Sequence, residues 1–259
     1  MLLKLLRASL LYKARDFVAK CRLDEYLVSA GFCDNTAEAL RMVMARKVKV
    51  NDVYVSSAAI SIKDGDSVWV RDCSPYVSRG GLKLAGALRE FNFDCSGLKC
   101  VDIGSSTGGF TDCLLQEGAS SVACVDVNYG QLAWSIRVDE RVRVFERTNI
   151  KLVTPAELGA PFDLLVADLS FIGLASLAGV FANLCERGSV FLGLIKPQFE
   201  SRHDETVGGV VVSEDVRLRV VNEVRLALEQ HGFNVEGVVE SSIKGPAGNV
   251  EYVVKAVYL

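Results

Sequence analysis

The segment that most constrains this chain is a glycine-rich turn between an apolar run and a helical pattern. Lys99–Ile103 has the apolar character of a buried strand, the turn covers residues 104–109, and a helical pattern continues to Gly118. Further apolar runs follow, separated by helical stretches, at residues 121–127, 162–167, 189–195 and 249–259. Strands that alternate with helices form a mostly parallel sheet covered on both faces, so we predict an α/β fold for this part of the chain.

The composition of the turn, Gly104-Ser105-Ser106-Thr107-Gly108-Gly109, favours one kind of ligand. Its spacing differs from the GxGxxG of dinucleotide-binding proteins, which argues against a nicotinamide dehydrogenase. Asp102, at the end of the strand, would repel a pyrophosphate but attract a cationic, amine-bearing ligand such as S-adenosyl-L-methionine. Asp126 closes the next strand, 22 residues after Gly104, near the offset at which an acid meets ribose hydroxyls. We therefore predict that Asp102, the turn and Asp126 bind S-adenosyl-L-methionine, in preference to a strand–turn–helix junction without a ligand.

Charged side chains stand at the ends of several predicted elements. Asp168 and Lys196 each follow an apolar run, Lys83 stands near the start of a helix, and Glu251 opens the last strand. Ligands of open α/β sheets bind outside the carboxyl ends of the parallel strands. Each residue alone has a simpler interpretation, as a helix cap, a lysine that reaches solvent or a surface ion pair. Together they indicate a reactive site at this edge of the sheet.

The first 72 residues differ from the rest in charge and pattern. They carry 12 basic and 9 acidic residues, a net charge of +3, whereas residues 73–259 carry 17 and 23, a net charge of −6. Residues 22–72 predict two helices followed by short strands. We expect the basic side chains of this region to contact RNA phosphates: Arg22, Arg41, Arg46, Lys47 and Lys49.

This region resembles the S4-type RNA-binding domain. The resemblance rests on RLDxxL at residues 22–27, a second helix, a basic segment followed by VxVN, and a DGDxVxV strand. The chain departs from the family pattern at the start of the second helix, where Asn35-Thr36 replaces a usual Ser-Arg pair. The resemblance implies a small α+β domain that binds folded RNA.

The remainder, from Ser78 to Leu259, resembles the TlyA (hemolysin A) family of ribosomal RNA methyltransferases, which are FtsJ-like ribose 2′-O-methyltransferases. The matching segments are VSRGGLKL, DIGSSTGGFTDCLL, DVNYGQLAWSIR, ERTN, DLLVADLSFI, LIKPQFE, VGGVVV and GPAGNVEY. The resemblance implies a Rossmann-like, mostly parallel seven-stranded sheet and S-adenosyl-L-methionine as cofactor, with Asp168 also near it. It further implies that the protein methylates the ribose 2′-hydroxyl of a cytidine in the RNA of ribosomal subunits.

The family's catalytic tetrad falls on Lys83, Asp168, Lys196 and Glu251. We predict that Lys196 is the base or polarises the hydroxyl, and that Lys83 stabilises the developing alkoxide. Asp168 and Glu251 would orient the two lysines and the ribose. The chemistry requires no metal, and the eight cysteines show no CxxC spacing that would predict a zinc site.

Two other functions remain open at this point. A membrane-lysing protein is indicated by the family's second name, but no apolar run reaches the ~18 residues of a membrane-spanning helix. A non-catalytic ribosome-assembly factor would retain the fold without the tetrad. We expect a cytoplasmic protein without stable membrane association, and the sequence predicts no oligomeric state. The predicted segments are an N-terminal extension (1–20), an S4-type domain (21–72), a linker (73–78) and a methyltransferase domain (79–259).

Overall fold

The computed structural model describes residues 21–30, 32–33, 35–63, 66, 68–71 and 75–259. The chain divides into two compact units, one that ends before Pro75 and one that runs from Pro75 to Leu259. The predicted extension, residues 1–20, and the first two residues of the predicted linker lie outside the described residues. Among the helices that the structure describes, none has the length and apolar character needed to cross a membrane.

The first unit has two helices and two small sheets. Its elements, in chain order, are β1 (Cys21–Arg22), α1 (Leu23–Ser29), α2 (Thr36–Met44), β2 (Val48–Val50), β3 (Val53–Tyr54), β4 (Ser61–Ile62) and β5 (Val68–Val70). Strands β1 and β4 pair with each other, and β3, β2 and β5 form a three-stranded antiparallel sheet in that order. The core between these elements is aliphatic, with Leu23, Leu27 and Val43 fully buried.

The two predicted helices and the short strands after them are present, and the structure adds the two-residue strand β1 before the first helix. Asn35, the residue that departs from the family pattern, serves as the N-cap of α2, because its side chain accepts a hydrogen bond of 2.9 Å from the Glu38 backbone N–H. Asparagine is among the preferred residues at this position. The substitution thus retains the helix start while removing a positive charge.

The second unit is a mixed α/β domain. Its strands are β6 (Lys99–Ile103), β7 (Ser121–Val125), β8 (Val142–Phe145), β9 (Leu164–Ala167), β10 (Val190–Ile195), β11 (Phe233–Glu240) and β12 (Tyr252–Tyr258). Its α-helices are α3 (Arg79–Glu90), α4 (Gly109–Gln116), α5 (Trp134–Arg137), α6 (Pro155–Leu158), α7 (Ala178–Ala182), α8 (Pro197–Glu200) and α9 (Glu214–Gln230). Two 3₁₀ turns, Ala175–Leu177 and His203–Glu205, complete it.

Within residues 75–259, the seven strands form one sheet in the order β11-β12-β10-β9-β6-β7-β8. Strands β10, β9, β6, β7 and β8 are parallel; at one end β12 pairs antiparallel with β10, and β11 pairs antiparallel with β12. This confirms the predicted fold class, a mostly parallel α/β sheet. The predicted last strand, residues 249–259, is shorter in the structure, because β12 begins at Tyr252.

Both faces of the sheet are covered, as the continuous apolar strands predict. Alternate residues of β6 contribute to different cores: Cys100 packs with α3 and α4, whereas Val101 packs with α7 and α9. Four of the five residues of β6 are buried. A sheet buried on both faces leaves the ends of its strands as the places where polar side chains can meet.

Candidate active site

The carboxyl ends of the parallel strands bring the predicted site residues to one edge of the sheet. Gly104 follows β6, Asp168 follows β9 and Lys196 follows β10. Because β12 runs antiparallel, it begins at this same edge, and Glu251 directly precedes it. Lys83 reaches the edge from α3. These five residues line an open cleft of about 580 Å³, a volume within the range of small-molecule sites.

Lys83 and Glu251 form a buried ion pair. The Lys83 ammonium donates a 2.6 Å hydrogen bond to Glu251 Oε2, and the two side chains are 7% and 1% exposed. The other carboxylate oxygen, Oε1, accepts a hydrogen bond of 3.3 Å from Gln198 Nε2. Gly245 makes room for this carboxylate, since a Cβ there would lie 2.5 Å from Oε1. Removing one member of such a pair leaves a buried charge without a partner, which is strongly unfavourable.

Lys196 and Asp168 form a second, more accessible pair. Lys196 Nζ lies 2.5 Å from Asp168 Oδ1, close enough for an ion pair although not aligned as a hydrogen bond. The same ammonium donates to Ser170 Oγ at 3.3 Å. The side chains of Lys196 and Asp168 are 11% and 21% exposed, so this pair is more open to a substrate than the first.

The glycine-rich turn packs against the segment that carries Asp168. Gly104 has a φ of +83°, and a Cβ at this position would lie 2.7 Å from the Asp168 carbonyl oxygen. Only glycine combines this left-handed conformation with so close a backbone approach. Asp126 holds the turn from the other side: its carboxylate accepts 2.7 Å hydrogen bonds from the backbone N–H groups of Ser106 and Asn128. Its predicted contact with a ribose would use the remaining lone pairs of the same oxygens.

Asp102 lies beneath the turn rather than on the wall of the cleft. It is fully buried, and its Oδ2 accepts hydrogen bonds from the backbone N–H (3.0 Å) and the hydroxyl (2.6 Å) of Thr111. Its Oδ1 has no hydrogen-bond partner. Burial raises the pKa of Asp102 to about 7, against the lowering effect of the Thr111 hydroxyl. A buried acceptor without a partner, directly under a glycine turn, fits the approach of a donor or a cation from the cleft.

Among the other residues predicted to bind the cofactor, Ser105, Ser106, Thr107 and Gly109 line the cleft together with Gly104. Gly108 is the N-cap of α4, with a left-handed φ of 92°, and it does not line the cleft. The first turn of α4 therefore starts at the cleft, with its backbone N–H groups at the helix end that favours negative charge. Across the described residues, no three His, Cys, Asp or Glu side chains gather in a way that could hold a metal ion.

The residues predicted to bind RNA lie in the first unit and differ in their surroundings. Arg22 is held by Asp24 through hydrogen bonds of 3.0 and 2.6 Å. Arg41, in the last turn of α2, and Arg46, just after it, are exposed. Lys47 is partly buried, and Lys49 lies over two aromatic rings. Arg22, Arg41 and Arg46 are thus the exposed members of the set, and Arg22 among them is paired with Asp24.

Three residues that the sequence reasoning did not single out also belong to this region. Gln198 holds Glu251, as described above. Phe171 is 92% exposed, has a φ of 67° and packs against Phe199 with ring centroids 5.4 Å apart. Glu200 accepts a 2.5 Å hydrogen bond from the Leu174 backbone N–H, and burial raises its pKa. Phe171 stands in DLLVADLSFI, and Gln198 and Glu200 stand in LIKPQFE. Both segments carry the family resemblance, so they could have indicated these residues from the sequence.

The chain is similar in sequence and in structure to known proteins. Residues 76–258 match the family model described as FtsJ-like methyltransferase, and residues 21–68 match the S4 domain. The 16S/23S rRNA (cytidine-2′-O)-methyltransferase TlyA of Mycobacterium tuberculosis is 41% identical over 90% of this chain and 88% of its own length. Hemolysin A of Brachyspira hyodysenteriae is 38% identical over 89% of this chain and 97% of its own. A solved structure assigned as a hemolysin from Streptococcus thermophilus superimposes with a TM-score of 0.71, at 34% identity, and covers 92% and 88% of the two chains.

Proposed function

Because this chain belongs to the FtsJ-like methyltransferase family, and within it to the TlyA group that carries an S4 domain, we propose that it transfers a methyl group from S-adenosyl-L-methionine to the 2′-hydroxyl of a cytidine in ribosomal RNA. The observation that carries this proposal is the pair of lysine–carboxylate contacts, Lys83–Glu251 and Lys196–Asp168, in one cleft beside a glycine-rich turn. A nucleophile that must lose a proton, and an alkoxide that must be stabilised, require such groups.

The cofactor would be held by the turn that follows β6 and by the acids around it. Gly104 to Gly109 would supply backbone groups, and Asp126 and Asp168 flank the turn. Asp102 would act from beneath through its unpartnered Oδ1. When bound, S-adenosyl-L-methionine supplies a methyl group activated by its sulfonium charge. The task that remains for the protein is to align and deprotonate the attacking oxygen.

Lys196 is the better placed of the two lysines for proton transfer, since the side chains of its ion pair are the more exposed. In its neutral form, Nζ would accept the proton of the 2′-hydroxyl while that oxygen forms its new bond to carbon. Asp168, 2.5 Å away, would then stabilise the lysine in its charged form. Lys83, fixed by Glu251, would provide a positive charge for the oxygen as negative charge develops on it.

The substrate part of the proposal draws on the relatives and on the first unit. The M. tuberculosis relative is named for cytidine 2′-O-methylation of 16S and 23S rRNA. The S4 domain of this chain presents the basic residues Arg41 and Arg46 to solvent, and phosphate contacts of this kind provide affinity for folded RNA. Because its substrate would be ribosomal RNA, the protein would act in the cytoplasm.

The proposal is tested by methyl transfer to isolated ribosomal subunits from S-adenosyl-L-methionine labelled in the methyl group, followed by mapping of 2′-O-methylated nucleotides. We expect the wild-type chain to label a cytidine ribose, and Lys196→Ala to lose the activity by roughly a hundredfold or more, as for removal of a general base. Lys255→Ala is the matched control, because Lys255 pairs with Glu236 on the sheet and does not line the cleft. Normal methyl transfer by Lys196→Ala, or label on a base instead of a ribose, would overturn the proposal.

A further inference from the structure

The three-stranded sheet of the first unit has an outer face that the proposed chemistry does not use. Lys49 in β2 stands opposite Tyr54 in β3 and opposite Trp69 in β5, so that the three side chains form one row across the sheet. Arg71 follows β5 at the end of this row. We call Lys49, Tyr54, Trp69 and Arg71 the aromatic–basic patch.

The members of the patch contact one another closely. Lys49 Nζ lies 4.7 Å from the centre of the Tyr54 ring and 5.0 Å from that of Trp69. The two rings are 6.4 Å apart and nearly perpendicular. The Arg71 guanidinium donates a 2.5 Å hydrogen bond to the Tyr54 hydroxyl and is exposed.

The patch does not belong to the hydrophobic core. Residues alternate along a strand, so that Val48, Val68 and Val70 face the core while Lys49 and Trp69 face away from it. Tyr54 is 38% exposed. Within the part of the chain that the structure describes, no carboxylate forms an ion pair with Lys49 or Arg71. The patch therefore presents two aromatic rings with two cations in contact with them, and neither cation is paired with a carboxylate of the described residues.

We propose that the aromatic–basic patch binds an unpaired segment of RNA, whose bases stack on Trp69 and Tyr54 and whose phosphates contact Lys49 and Arg71. This deepens the proposed function, on which it rests for RNA as the partner. Aromatic side chains among cations on a sheet face are the platform that proteins use for single-stranded nucleic acid, because every base has a π face. A duplex would engage only the cations, since its bases are already stacked on one another. An acidic peptide would likewise leave the rings unused.

Trp69 itself provides the measurement. The chain has two tryptophans, so Trp134→Phe leaves Trp69 as the one indole in the full-length protein. We expect a single-stranded ten-nucleotide oligocytidine to quench the Trp69 emission in a saturable way, whereas a ten-base-pair RNA duplex leaves it nearly unchanged. The patch is intact in this protein, so the result does not depend on the folding of a patch variant.

Substitutions then separate stacking from charge. Trp69→Leu retains an apolar side chain on the strand, and we expect it to weaken binding of the single strand by roughly five- to a hundredfold, the effect of removing one stacked base. Lys49→Gln should reduce the slope of log K against log salt concentration by about 0.7, the value for one phosphate contact with a single strand. Thermal unfolding of both variants, compared with the wild type, reports whether the first unit is still folded.

Several results would overturn this inference. These are an unchanged Trp69 emission at concentrations where a labelled oligocytidine binds, equal quenching by the duplex, or quenching by an oligoglutamate but not by RNA. The test is independent of the proposed reaction, because Lys196→Ala in the same background should abolish methyl transfer and leave the quenching in place. If the Trp134→Phe protein, with Lys196 intact, bound the oligocytidine through Trp69 but transferred no methyl group, that result would count against the reaction and not against the patch.

Discussion

At the scale of single residues, the two lysines of the cleft have the same chemistry but different surroundings. Lys83 is enclosed with Glu251, whereas Lys196 and Asp168 remain partly open to solvent. Burial makes an ion pair costly to break, because the remaining charge has no water to replace its partner. Removal of one member of the first pair should therefore destabilise the fold, whereas the second pair, which is more exposed, can be changed at a smaller cost.

This difference predicts unequal effects on stability. Glu251→Ala should lower the free energy of unfolding by roughly 3–5 kcal/mol, because Lys83 is left buried without a partner. Asp168→Ala should lower it by less, because the Lys196–Asp168 pair is more exposed than the Lys83–Glu251 pair. Urea denaturation followed by circular dichroism measures both. Equal losses in the two variants would contradict the distinction between the pairs.

Asp102 predicts a dependence of stability on pH. Its pKa rises from its ordinary value near 4 to about 7 on folding, chiefly through burial. The folded state therefore holds the Asp102 proton more tightly than the unfolded state. Between these two values the contribution of Asp102 to stability falls as pH rises, by up to about 1.4 kcal/mol per pH unit.

Asp102→Asn should remove this contribution, because an amide does not titrate and its oxygen can still accept from Thr111. We expect the unfolding free energy of the wild type to fall more steeply from pH 5 to pH 7 than that of the variant, as measured by urea titrations at several pH values. In calorimetric titration, the same variant should bind S-adenosyl-L-methionine more weakly. Parallel pH curves for the two proteins would show that Asp102 does not titrate in this range.

The sequence alone could predict some of these residues and not others. Placement at the ends of predicted elements marked Lys83, Asp168, Lys196 and Glu251, the resemblance implied their catalytic roles, and the structure gathers them in one cleft. Gln198 was not predictable, since its importance depends on where the Glu251 carboxylate lies after folding. The position of Asp102 under the turn was not predictable either, because an acid at the end of a strand can point into the cleft or lie beneath the turn.

At the scale of elements, the short helix α8 connects the parts of the cleft. It follows Lys196, carries Gln198 to Glu251, and ends at Glu200, which binds the loop after β9 through the Leu174 N–H. Four residues of helix contribute little stability by themselves. Through Glu200, α8 instead connects the loop that begins at Asp168 to the segment that follows Lys196.

Glu200 is accordingly predicted to be a positioning residue. Glu200→Ala should lower kcat by roughly ten- to a hundredfold, as expected when catalytic groups shift by a fraction of an ångström to an ångström, with little change in KM for S-adenosyl-L-methionine. Glu200→Gln should recover much of the rate, because an amide oxygen can still accept from the Leu174 N–H. Steady-state kinetics on ribosomal subunits measures both variants.

Gly173 offers an independent check on this prediction. A Cβ at Gly173 would lie 2.2 Å from Glu200 Oε2, so Gly173→Ala should displace the same carboxylate and reproduce the kinetic defect of Glu200→Ala. If Gly173→Ala were fully active, or if Glu200→Gln were as defective as Glu200→Ala, the hydrogen bond to the loop would not be what positions Asp168.

Elements were predictable where their pattern was strong. The continuous apolar runs of β6, β7, β9 and β10 marked buried strands, with ends correct to within two residues. The sequence patterns did not locate β8 or β11. Strand β8 has only four residues, one of them Arg143, and Arg141 directly precedes it. Strand β11 contains a bulge between Val235 and Gly237, which interrupts the alternation of inward and outward side chains. Strands at the edges of a sheet are half-covered and retain polar residues, so their periodicity is weaker.

At the scale of the whole molecule, the uneven charge separates two tasks. The first 72 residues have a net charge of +3 and the remainder a net charge of −6. Asp126, which holds the glycine-rich turn, and Asp102, which binds Thr111 in the helix after it, belong to the second unit, and the exposed Arg41 and Arg46 belong to the first. Under the proposed function, a chain with a net charge of −3 would approach RNA through one unit and present carboxylates to a cationic cofactor in the other.

This separation predicts that RNA affinity and chemistry respond to different substitutions. Arg41→Gln combined with Arg46→Gln should raise KM for ribosomal subunits and reduce the slope of log K against log salt concentration by about 0.7–0.9 for each phosphate that the protein no longer neutralises. The value of kcat at saturating RNA should stay within about twofold, since the two lysine–carboxylate pairs lie in the second unit. Arg225→Gln is the matched control, an exposed arginine of the second unit that pairs with Glu229 and does not line the cleft. A fall in kcat without a change in salt dependence would mean that these arginines align the bound RNA for reaction instead of supplying its affinity.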